Sequence, residues 1–136
     1  MKRVLLPLGV ALGLLAIAAA GWWLKQPDDA LVVACPDPVA GCSFHHAGAR
    51  AQFRFSRTPV PMEAFELSVE SPGLRRAHAE FQMIGMDMGF NRYDLRPQNA
   101  AFAARITLPV CVSGRRDWVM VLTLDGARYA ISFRSH

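Results

Sequence analysis

The chain has no glycine-rich phosphate loop, no Ser/His/Asp set in a recognisable context, no carboxylate pair in a pocket signature and no zinc motif. Those gaps argue against catalysis, and we expect a protein that is not an enzyme. A cluster of basic charge is missing too. Of 15 Lys and Arg residues, Lys2, Arg3 and Lys25 flank an apolar run, which leaves 12 arginines (15 − 3) against 11 acids. So even a balance gives no footprint for nucleic acid. Internal repeats, low-complexity tracts and a helical apolar period beyond residue 24 are absent, and cysteines number only three.

What is present begins with Val4-Leu-Leu-Pro-Leu-Gly-Val-Ala-Leu-Gly-Leu-Leu-Ala-Ile-Ala-Ala-Ala-Gly-Trp-Trp-Leu24. Its length approaches the roughly 30 Å of a bilayer core at about 1.5 Å per residue. Lys2 and Arg3 before it and Trp22 and Trp23 at its end suggest a single-pass anchor in the inner (cytoplasmic) membrane with the C-terminal domain in the periplasm. Ala18-Ala-Ala20 offers a cleaved signal peptide as the competing reading, and Val32-Val-Ala-Cys35 loosely resembles a lipobox. The chain therefore divides into an anchor (1–25), a proline-bearing linker (26–48) and a folded domain (49–136), which is enough for one core.

Within 49–136 the apolar residues alternate with polar ones. Ala51/Phe53/Phe55, Phe65/Leu67/Val69, Ala77/Ala79/Phe81/Met83, Tyr93/Leu95, Phe102/Ala104/Ile106/Leu108/Val110, Trp118/Met120/Leu122/Leu124 and Tyr129/Ile131/Phe133 each share one face. Ser71-Pro-Gly73, Pro97-Gln-Asn99, Ser113-Gly114 and Asp125-Gly126 supply turns. About seven short strands predict an all-β, immunoglobulin-like antiparallel sandwich preceded by one transmembrane helix.

Cys35 and Cys42 enclose the turn-rich Pro36-Asp-Pro-Val-Ala-Gly41, so their disulfide is the first choice in an oxidising compartment. Cys42 with Cys111 is the rival, and a metal or thiol-exchange role for Cys35 and Cys42 comes after it. If the strands simply alternate in direction, 58–62, 83–88 and 110–112 gather at one end of the domain and Cys42 at the other.

Met83-Ile-Gly-Met86-Asp-Met88-Gly89 places three thioethers in six residues. Thioether sulfur is a soft, neutral ligand that suits Cu(I), while methionine is also the ordinary filler of irregular cores. Met83 continues a buried strand face, and Met120 belongs to the core. Met86 and Met88 sit in a glycine-bounded turn and are the leading Cu(I) ligands, with Met83, Met62 and Cys111 as further candidates. A free Cys111 reads equally well as a small buried hydrophobe. His45-His46 is a weaker metal candidate; His78 and His136 are uninformative.

Met86-Asp-Met88-Gly89, Phe102-Ala-Ala-Arg-Ile-Thr-Leu-Pro109 and Trp118-Val-Met-Val-Leu122 resemble the YtkA-like and FixH-type exported domains, which carry a Met-x-Met turn, a strand ending in Leu-Pro and a strand opened by Trp. FixH-type proteins also place one membrane helix before such a domain. The resemblance implies an immunoglobulin-like fold and a copper-binding accessory role, a Cu(I) chaperone or assembly factor for a copper-containing respiratory oxidase. Only Met86 and Met88 fall on the family's turn. Phe90 stands where a histidine often follows it. The alternative is a metal-independent structural subunit or scaffold that binds a membrane complex through the same methionine-rich turn.

Overall fold

The computed structural model describes residues 2–24, 29–86, 91–110 and 113–136, and in the N-terminal helix the side chains of 9–23. The apolar run is helical, α1 spanning Lys2–Leu24. Its described side chains are exposed throughout. Among the described residues no helix is long and apolar enough to cross a membrane. The expected single-pass anchor, and the inner-membrane and periplasmic placement built on it, are corrected accordingly.

Nine strands follow: β1 (Leu31–Val32), β2 (Cys42–His46), β3 (Ala49–Phe55), β4 (Ala64–Glu70), β5 (Ala77–Met83), β6 (Arg92–Gln98), β7 (Ala101–Thr107), β8 (Asp117–Leu124) and β9 (Ala127–Arg134). They form one sheet in the order β1-β9-β8-β5-β6-β7-β4-β3-β2. Every neighbouring pair is antiparallel except β1 with β9. This corrects the seven-strand immunoglobulin-like sandwich of two sheets to a nine-strand mixed sheet curved into a half-barrel. Two features cause the difference.

The first is β6, which serves both halves of the sheet. Arg92 to Leu95 pair with β5, and Arg96 to Gln98 pair with β7. Tyr93 bridges the gap left where β6 parts from β7: its hydroxyl donates to the Thr107 carbonyl at 2.7 Å and accepts from the Thr107 amide at 3.3 Å. The second is that β1 and β2 lie in the stretch read as linker. They are the two edges of the sheet, although they follow one another in sequence.

Alternation drives the curvature, because each strand has one apolar face and the half-barrel turns all of them inward. Phe53, Phe55, Leu67, Phe81, Trp118, Met120, Leu122 and Ile131 are buried. Aromatic contacts join the halves: Phe55 meets Phe133 at 5.2 Å, and Phe81 meets Phe65 at 6.2 Å and Phe133 at 6.1 Å between ring centroids. Edge-on geometries of this kind add to the area buried.

Candidate functional site at the long-loop end

The connections are distributed unequally. At one end β2–β3, β6–β7 and β8–β9 are joined by the two-residue turns 47–48, 99–100 and 125–126, and β4–β5 by 71–76. At the other end lie 33–41, 56–63, 84–91 and 108–116, every one longer. Long loops on a rigid sheet are where binding residues concentrate. Of the stretches expected to share an end, the described parts 58–62, 83–86 and 110 lie at this one, while 87–88 and 111–112 are outside the described residues.

Backbone hydrogen bonds lace these loops together. The Met62 amide donates to the Leu108 carbonyl at 2.9 Å, Phe55 to Pro38 at 2.9 Å, His136 to Pro59 at 3.0 Å and Ile84 to Asp117 at 3.2 Å. Arg115 Nη1 donates to the Ile84 carbonyl at 2.9 Å, and Ser113 Oγ lies 3.9 Å from Met86 Sδ. The loop bearing Met62 is thus tied to the start of 108–116, and the loop bearing Met86 to its end.

The Cys35–Cys42 disulfide is formed, with its Cα atoms 5.7 Å apart. Its position differs from expectation. Cys42 pairs with Phe53 near the end of β3, and the Asp37 carboxylate accepts from the Val39 and Ala40 amides to round the loop. Because β2 runs antiparallel to β3, the bridge sits at the long-loop end, not opposite it. It ties the passage from the β1 edge to the β2 edge.

The sulfur atoms separate into two groups. Met83 is only 3% exposed and pairs with Trp118, and Met120 is fully buried, so both belong to the core. Met86 is 41% and Met62 69% exposed, on two loops that are each bonded to 108–116. Met62 adopts φ 64°, which turns its loop sharply before β4. Met88 and Cys111 lie outside the described residues, as do Asp87, Gly89 and Phe90. Among the described residues no three His, Cys, Asp or Glu side chains converge as a metal site.

Sequence reading missed Ile84 and Val110, which are 48% and 63% exposed in the same loops as Met86 and Cys111. Their signal lay in their position within long loops between strands of regular length. His45 and His46 point to opposite faces of β2, which removes them as a chelating pair. His46 is buried, with Nδ1 2.9 Å from the Tyr129 hydroxyl at the short-turn end. Burial pushes the Tyr129 phenol above its ordinary value.

Comparison with known proteins gives no match: no family model, curated protein or solved structure matches the chain.

Proposed function

We propose that the protein is a copper-binding accessory protein that holds Cu(I) at the long-loop end through Met86 and Met88, with Met62 and Cys111 supplied by the two adjoining loops. One observation carries this reading: the chain segments bearing these residues are bonded to one another, through Met62 to Leu108, Ser113 to Met86 and Arg115 to Ile84. Thioethers hold Cu(I) without losing a proton, and the metal tolerates low coordination numbers. Met83 backs the turn from the core. A disulfide at the same end suits an oxidising environment, where methionine outlasts free thiolate as a ligand. The resemblance to YtkA-like and FixH-type domains supplies the acceptor, a copper-containing respiratory oxidase, for which the protein would act as chaperone or assembly factor.

The test is titration of the full chain with Cu(I) against a competing chelator. Replacing Met86 and Met88 together by leucine is expected to weaken binding by about a hundredfold, two lost soft ligands at roughly tenfold each. Unchanged affinity in that variant defeats the assignment.

A second reading is favoured by the exposure of Met62, Ile84, Met86 and Val110, all in loops at this end. In it the same end is a metal-independent contact surface of a scaffold or structural subunit, since methionine adapts to varied partners. Recovery of one stable partner from solubilised membranes, equally with and without copper, would favour it over the first.

A further inference from the structure

The short-turn end carries a feature that copper binding does not use. A groove of about 570 Å³ is lined by residues of β5, β6, β7 and β8 together with the 71–76 connection and the 125–126 turn. Arg75, Arg76 and Arg92 line it together with His78 and Asp94. Pro97 and Phe102 give it an apolar side, while Leu95 at its edge is buried.

Cation exceeds anion there in practice as well as in number. Asp125 lines the groove, but its carboxylate is engaged: it accepts from the Arg75 amide at 3.2 Å and the Arg76 amide at 2.8 Å. Those backbone bonds, that to Arg76 first, hold the Asp125 carboxyl pKa below its ordinary value. Arg92 contacts Glu80 at 3.9 Å and Asp94 at 3.6 Å, long beside the roughly 2.7–2.9 Å of a tight charge-assisted bond. Its guanidinium keeps capacity for a better-placed oxyanion. Register sets His78 between Asp94 on β6 and Thr123 on β8, in the middle of the outer face.

We propose that this groove binds a small organic oxyanion, whose carboxylate or phosphate meets Arg75, Arg76 and Arg92 while its apolar body lies on Pro97 and Phe102. Planar guanidinium groups match both head groups in two-point fashion. The apolar side gives an aryl or alkyl ester an advantage over a bare inorganic ion.

His78 reports on the site without being consumed by it. Burial, then Arg92, lowers its proton affinity; Glu80 and Asp94 oppose this and Arg128 adds to it. An anion arriving among the arginines offsets that cationic field and raises the proton affinity of the imidazole.

The test is an NMR titration of the full chain, following the His78 ring signal with phenyl phosphate, benzoate and inorganic phosphate as separate probes. A saturating shift is expected with an aryl probe, about fivefold or more tighter than with inorganic phosphate because of the apolar side. Which aryl probe binds tighter assigns the head group. Arg75→Gln with Arg76→Gln is expected to weaken binding by about tenfold or more, and Arg92→Gln likewise, through lost charge-assisted bonds. Each variant is checked for an unchanged melting profile, and Cu(I) affinity should not move. Shifts that never saturate, aryl probes no better than inorganic phosphate, or equal affinity in folded variants would overturn the proposal.

Discussion

The two ends of the half-barrel are built from the same strands yet do different work. At the short-turn end the chain reverses in the smallest space available. Ala47 and Gly48 both take positive φ, as do Asp125 and Gly126, the backbone that right-twisted hairpins need. Little chain is left over there to reshape. At the other end the connections are long, and they expose Met62, Ile84, Met86 and Val110. The contrast teaches that the short turns secure the sheet while the long loops expose thioether and apolar side chains, with the disulfide and the lacing hydrogen bonds holding those loops in place.

The comparison is most severely tested where both ends depend on one core. Phe81 is fully buried and touches Phe65, Tyr93 and Phe133 across the two halves. Phe81→Ala is expected to cost about 3–5 kcal/mol in chemical denaturation, through lost burial and the cavity left behind. A cost below about 1 kcal/mol, the scale of an ordinary surface change, would mean that the halves do not share this core.

Removing the disulfide should separate the ends. Cys35→Ser with Cys42→Ser is expected to cost about 2–3 kcal/mol, as befits a short closed loop. Hydrogen exchange should then quicken at 31–42 and 53–55 while the 125–126 hairpin keeps its protection. Uniform loosening would contradict the placement of the bridge.

Smaller effects are expected at the short-turn end. Tyr129→Phe deprives buried His46 of its partner and should cost about 1–2 kcal/mol. Asp125 has a depressed folded-state pKa, so its contribution is present above 3.8, its value when unperturbed, and is lost as pH falls through the folded value. The stability difference between the native chain and Asp125→Ala should therefore shrink on acidification below 3.8. His78 acts in the same direction higher on the scale. Its folded-state pKa is lowered, so stability is full above 6.5 and declines as pH falls through 6.5 toward the folded value, a slope that His78→Gln should remove.

Much of this architecture was legible in the chain. Alternation located β3 to β9, and the prolines and glycine between Cys35 and Cys42 located the bridge. The rest was hidden for physical reasons. β1 has two residues, too few to alternate, and the β2–β3 hairpin turns on Ala47-Gly48, which lacks the Asn-Gly or Asp-Gly signature. The double pairing of β6 depends on partners distant in sequence, so nothing local in Arg92–Gln98 announces that the two halves will join into one sheet. For the same reason, strand order alone misplaced the disulfide: an unseen antiparallel β2 carries Cys42 to the far end of β3. At the candidate site, the Met-x-Met spacing was visible, whereas the lacing of three loops was not.

X-ray absorption at the copper edge of the Cu(I)-loaded full chain addresses the long-loop end most directly. A first shell of two to four sulfur atoms, reduced in number when Met86 and Met88 become leucine, is the expected result. A shell of nitrogen and oxygen alone, or a sulfur shell unchanged in that variant, would contradict the assignment.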